Sequence, residues 1–203
     1  MLVDLLAKAF NPVYFNADEW IKLCKEAGVD GVEVHAVHEG YLLDQFTLNY
    51  TNKRTDEYGG NLENRLRLAN EIIQEVRRSV GEDYIVAIRF GAYDYWEGGS
   101  KLDEIPIAVR SFIDSGVDLI DISGGLCRFQ NPYDRAPGYF KELSKIAKEA
   151  SSVPVILTGG VKKARDAENL LKEGYCDLIG IGRAMIMDAE WSKKALKSLE
   201  NMQ

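Results

Sequence analysis

The only two histidines of the chain, His35 and His38, stand three residues apart in the run His35-Ala-Val-His-Glu-Gly-Tyr41, which ends in a phenol. Imidazoles donate hydrogen bonds to substrate oxygens, move protons or ligate metals, and a phenol can deliver a proton. By residue type alone three readings stay open: acid–base or hydrogen-bond chemistry, a weak metal site with Glu33 or Glu39, and ordinary hydrogen-bonded residues at a strand end. The preceding Gly31-Val-Glu-Val34 reads as a buried strand, and the strand ends of parallel α/β sheets are where such folds place their chemistry.

A second chemical pattern lies near the C-terminus. Val155-Ile-Leu-Thr-Gly-Gly-Val161 and Leu178-Ile-Gly-Ile-Gly-Arg183 are successive apolar segments that end in glycine and feed a helix. Glycine lets backbone amides approach an anion, and arginine adds a bidentate charge, so Gly159, Gly160, Gly182 and Arg183 form a candidate phosphate cradle. The duller reading is two tight strand-to-helix turns. Arg89, in Ala-Ile-Arg-Phe90, is a third charged group within a strand; alone it could be the salt-bridge partner of Glu33 or Asp121.

These residues need a scaffold, and hydrophobic periodicity supplies one. Strands are expected at Gly31–Ala36, Tyr84–Phe90, Asp118–Ser123, Val153–Thr158 and Asp177–Gly182, each nearly continuously apolar, as in a parallel sheet covered on both faces. Between them Leu62, Leu66, Ala69, Ile72, Ile73 and Val76 mark one helical face. Ser100 with Asp103 resembles a capping box opening a helix through Phe112. Later helices are expected over Tyr139–Ala150, Lys162–Lys172 and Glu190–Leu199. Two more precede the first strand: Leu2–Phe10, and Ala17–Ala27 closed by Gly28. The order αα(βα)₅ suits an open doubly wound sheet or a closed eight-stranded barrel. Two consecutive glycine-ended strands favour the barrel, and no Gly-x-Gly-x-x-Gly follows the first strand.

Bulk properties narrow the class. With 203 residues, 46% hydrophobic and 28% charged, the chain can bury a core and reads as one globular domain, residues 1–30 contributing helices and 31–203 the five βα units. A net charge of −7 disfavours non-specific nucleic-acid binding. No apolar run reaches the ~18 residues of a membrane span and no secretory leader is evident, which points to the cytoplasm. Cys24, Cys127 and Cys176 form no Cys-x-x-Cys pair and are expected in the core.

His35–Gly60, Arg89, Asp118-Leu-Ile-Asp-Ile-Ser-Gly124, Thr158-Gly-Gly160 and Gly180-Ile-Gly-Arg183 together resemble the C-terminal part of the old yellow enzyme family of NADH:flavin oxidoreductases, over roughly residues 17 to 195. The resemblance implies an FMN-containing (βα)₈ TIM barrel of which these strands are the fourth to the eighth. It also implies hydride transfer from NADH or NADPH, through the flavin, to an electron-poor C=C bond such as that of an enoate or enone. By the same resemblance His35 and His38 bind the substrate carbonyl or carboxylate and Tyr41 protonates the α-carbon. Arg89 faces the N1/O2 edge of the flavin, and Gly159, Gly160, Gly182 and Arg183 hold its phosphate. No metal is implied.

Glu39 places the tyrosine three residues after the second histidine rather than the commoner two, a spacing shared with enoate-reductase-like members. The family's first three strands have no counterpart here, nor has its flavin-contacting glutamine. A five-stranded arc leaves two unpaired edges that invite pairing. The expected partners are therefore a small alkene and either a homo-oligomer or an N-terminal complement. Two other outcomes suit the same residues: an inert half-barrel that still binds phosphate or flavin, and a phosphate-binding barrel lyase or isomerase.

Overall fold

A computed structural model describes residues 16–200 apart from Glu39. The expected helix at Leu2–Phe10 lies outside the described residues. The chain divides into two compact units, Met1–Asp30 and Gly31–Gln203. In the first, helix α1 (Ala17–Glu26) starts at Asn16, whose side chain accepts the Glu19 amide at 3.2 Å. It closes before Gly28 at φ +72°.

The second unit is built on one sheet of five parallel strands: β1 (Gly31–Ala36), β2 (Ile85–Tyr93), β3 (Leu119–Gly124), β4 (Val155–Thr158) and β5 (Leu178–Gly180). Each strand pairs with the next in sequence, in the order β1-β2-β3-β4-β5. A doubly wound sheet reverses its strand order at a switch point, whereas a barrel winds in one direction. The unreversed order identifies an arc of a (βα)₈ barrel and removes the doubly wound alternative.

Strand limits differ from expectation for local reasons. Pro154 has no amide to give the ladder, so β4 begins at Val155 while the Pro154 carbonyl accepts the Ile120 amide at 3.1 Å. Val153 is thereby left outside the strand. Strand β2 runs three residues past Phe90, through a register shift between Gly91 and Tyr93. Strand β5 stops at Gly180, before Ile181 and Gly182.

The connecting helices are α2 (Leu42–Thr47), α3 (Leu62–Val80), α4 (Ile105–Asp114), α5 (Lys141–Ala150), α6 (Ala164–Lys172), α7 (Arg183–Met187) and α8 (Trp191–Glu200). Helices α2 and α7 span six and five residues, too short for the 3.6 period to register, and neither was expected. The capping box is displaced by one residue. The Lys101 amide donates to Glu104 at 3.1 Å, opening a 3₁₀ turn over Leu102–Glu104, and Ser100 gives both its amide and its hydroxyl to Asp94 at 2.7 Å. Helix α6 starts at Ala164 rather than Lys162.

The sheet is not covered equally on both faces. Val86, Ile88, Ile120 and Ile122 are fully buried, and Phe90 packs edge-on against Phe112 of α4 at 5.3 Å between ring centres. Alternate positions Glu33, His35, Arg89, Asp121 and Ser123 fall on the opposite face by the two-residue period of a strand. Glu33 and His35 are exposed. That second face is the concave side that a complete barrel encloses. Of the three cysteines, Cys176 is buried while Cys24 and Cys127 are only half-buried.

Candidate active site

Strand register lines up the charged residues. His35 lies opposite Arg89 and Arg89 opposite Asp121, so imidazole, guanidinium and carboxylate form a row across three adjacent strands. The row opens into a cavity of about 510 Å³ at the strand ends. His38, Phe129 and Tyr139 complete one wall, and Thr158 to Lys162 with Gly180 to Ala184 form the other. Seven of the eight sequence-derived site residues, His35, His38, Arg89, Gly159, Gly160, Gly182 and Arg183, therefore line one space. Tyr41 does not line it; more than half exposed, its ring stands 6.0 Å from that of His35. A larger recess of about 650 Å³ beside Trp96 contains none of the eight. Its buried cation, Arg65, is spent on Glu104 and the carbonyls of Thr47 and Gly60.

The imidazole pair is compact. The rings of His35 and His38 meet edge to face at 5.6 Å, and His38 Nε2 is 2.7 Å from the Ser123 hydroxyl. Burial, reinforced by the positive charge of Arg89, lowers both histidines, His38 to about 4, so both rings are neutral at pH 7. Arg89 Nε sits 3.4 Å from Asp121 Oδ2, an ion pair without hydrogen-bond geometry, which leaves Arg89 Nε and Asp121 Oδ1 buried without a hydrogen-bond partner. Asp121, and not Glu33, is thus the partner that the sequence left open. Burial pushes the Asp121 carboxyl up to about 7; Arg89 opposes that rise and Glu33 adds to it.

The glycine wall is shaped for a close ligand. Gly159 and Gly160 have φ of +134° and +70°, and a Cβ on Gly160 would approach the Tyr139 ring to 2.6 Å, so both backbone conformation and space require glycine. At Gly182 a Cβ would meet nothing within 4 Å, which leaves open room where the backbone borders the cavity. Arg183 lies over the Phe129 ring at 5.2 Å and donates to the Tyr139 hydroxyl at 3.3 Å; that hydroxyl donates in turn to the Phe129 carbonyl. This holds a cation beside two amide-lined turns, an arrangement that fits a phosphate. The unpartnered Arg89 Nε fits an anionic group further along the same cavity.

Residues that sequence reasoning missed hold the loops beneath the site. Asp44 accepts the Gly40 amide at 3.0 Å, and Asp94 accepts the Leu126 amide at 2.6 Å. Both carboxylates are almost fully buried, and burial lifts Asp44 to about 6. Asp94 in a turn-rich loop and Asp44 in a short helix carry no periodic signal. The strongest available hint is an acid flanked by glycines and aromatics, as in Tyr93-Asp-Tyr-Trp-Glu-Gly-Gly99.

Residues 14–202 match the model of the NADH:flavin oxidoreductase / NADH oxidase family, and the chain belongs to that family. Among its relatives is a cinnamate reductase of Clostridium sporogenes, 35% identical over 196 residues, which cover 87% of this chain and 29% of the relative. Among solved structures, a 2-naphthoyl-CoA reductase in complex with 2-naphthoyl-CoA superposes with a TM-score of 0.79 at 32% identity, over 88% of this chain and 28% of the other. The old yellow enzyme homologue of Zymomonas mobilis superposes with a TM-score of 0.67 at 25% identity, over 88% and 50%. The chain spans between a quarter and rather more than half the length of the curated relatives it matches. The family's cofactor is FMN, with a reduced nicotinamide as electron donor. Among the described residues no helix is long and apolar enough to cross a membrane, and no group of three potential metal ligands occurs.

Proposed function

We propose that this chain carries the last five of the eight βα units in the barrel of an FMN-dependent, NAD(P)H-driven reductase that saturates the C=C bond of an activated alkene, an enoate or enone, in the cytoplasm. The single observation that carries the reading is that the histidine pair, the ion-paired Arg89 and the Gly159, Gly160, Gly182 and Arg183 turns open into one cavity. FMN, when bound, supplies the hydride. The backbone amides of Gly159, Gly160 and Gly182, with Arg183, bind its phosphate. Arg89 provides the positive charge for the flavin's N1/O2 edge. Neutral His35 and His38 donate hydrogen bonds to the substrate carbonyl or carboxylate, which lowers the energy of the developing enolate. Tyr41 protonates the α-carbon, which requires it to swing from its exposed position toward His35. The name of the Clostridium relative supports an enoate as substrate.

In this reading residues 1–203 form one incomplete barrel domain, and three further βα units, on the same polypeptide or a partner, close the cavity. The open faces of β1 and β5 support that requirement. The test is anaerobic turnover of NADH with cinnamate by the FMN-loaded chain, alone and mixed with a polypeptide carrying the first three βα units of a family member. Turnover that appears only in the mixture supports the complemented reductase. Flavin binding without turnover in either case would favour the inert half-barrel.

A further inference from the structure

His38 has an unusual backbone as well as a buried partner. Its φ of +144° lies where residues other than glycine are rarely found, at a cost of order 1–3 kcal/mol. Such a conformation persists only where its surroundings over-determine it, and two contacts do so. The His38 carbonyl accepts the Tyr41 amide at 3.0 Å, and the ring reaches the Ser123 hydroxyl at 2.7 Å. Ser123 is fully buried at the end of β3, on the same concave face as Asp121.

The hydroxyl and the ring can share that contact in two ways. If Nε2–H donates to Ser123 Oγ, the serine proton needs an acceptor of its own. The only hydrogen-bond partner of that hydroxyl among the described residues is His38. A buried donor left unpaired costs about 1–3 kcal/mol, several times RT, while an acceptor with a spare lone pair costs far less. If instead Ser123 O–H donates to Nε2, the buried hydroxyl proton is paired and the neutral ring carries its own proton on Nδ1.

We infer that Ser123 is a positioning residue that donates to His38 Nε2, locks the ring as the Nδ1–H tautomer, and so makes Nδ1–H the hydrogen bond that His38 offers to a substrate oxygen. The role of that donor rests on the reductase reading; the tautomer does not. The serine also links two elements of the site. It reaches from β3 to the loop after β1, and through the His38 carbonyl it helps to set the start of the segment bearing Tyr41. Burial and, after it, the charge of Arg89 work in the same direction, since they keep the ring neutral and thus dependent on one proton.

The chain has two histidines, so ring ¹⁵N–¹H correlation spectra of the ¹⁵N-histidine-labelled chain at pH 7 resolve both. The expected result is a protonated Nδ1 and a bare Nε2 for His38. Ser123→Ala should shift that ring toward a mixture of tautomers and leave His35 unchanged, and Ser123→Thr should restore the Nδ1–H form. A wild-type His38 protonated on Nε2 would overturn the inference, as would a folded Ser123→Ala chain with the wild-type ring pattern. If neither variant folds, the wild-type spectrum alone decides. Because the spectrum needs no flavin, failure of the chain to retain FMN counts against the reductase reading and not against the tautomer.

Discussion

The middle of the sheet and its two edges are built to different standards. In β2 and β3 the helix-facing residues Val86, Ile88, Ile120 and Ile122 are wholly buried, and even the concave face holds Asp121 and Ser123 out of water. On β1 His35 and Glu33 are exposed, and on β5 Leu178 is 47% exposed. The candidate site residues are divided the same way: the Arg89–Asp121 ion pair sits on the central strands, while the imidazoles lie on β1 and just after it and the proposed phosphate-binding turns follow β4 and β5. The difference shows that this polypeptide fixes the relative placement of the groups but leaves them open to solvent. In the proposed reductase, excluding water would strengthen the electrostatics of the site, so the open edges are where the proposed completing units would act.

The contrast yields graded predictions. Ile120→Ala should destabilise the chain by about 2–5 kcal/mol, because it opens a cavity in a closed core. Leu178→Ala should change the urea midpoint little, and a loss as large as that of Ile120→Ala would show that β5 is already covered. Gly160→Ala, which meets both a positive φ and the Tyr139 ring, should cost about 1–3 kcal/mol. Gly182→Ala has room for its methyl and should keep the wild-type melting profile while weakening FMN retention.

Asp121 offers a pH test of the centre. Its folded carboxyl holds a proton up to about pH 7, whereas the unfolded one ionises near the ordinary value of 3.8. The folded state therefore binds the extra proton between those limits, and this group's contribution to stability falls as pH rises through them. His38 has the opposite sign: its lowered folded value makes its contribution fall as pH drops from 6.5 toward 4. Asp121→Asn should remove the first effect, so that urea midpoints measured from pH 4 to 7 rise more steeply with pH than in the wild-type chain. An unchanged slope would mean that Asp121 is already ionised in the folded chain.

Much of this arrangement was legible in the residues. Five apolar runs separated by amphipathic ones matched the five strands, and the Gly159-Gly160 and Gly182-Arg183 pairs marked the turns that border the cavity. What escaped depends on alternation and on the third dimension. Glu33 and His35 interrupt an apolar run, and only register shows that they share a face with Arg89 and Asp121. The two short helices, the capping role of Glu104 and the loop-holding Asp44 and Asp94 are set by tertiary contacts. Nothing in the sequence ties Ser123 to His38, because the hydroxyl lies 85 positions away in sequence from the ring it touches.

The most direct test of the central claim is flavin retention: the purified chain is mixed with excess FMN, passed through gel filtration and read by flavin absorbance, beside Arg183→Ala. The account predicts that flavin co-elutes with the wild-type chain and is lost from the variant. A soluble, folded chain that elutes free of flavin, or a variant that retains it equally, would contradict the claim that these edges already carry a working phosphate grip.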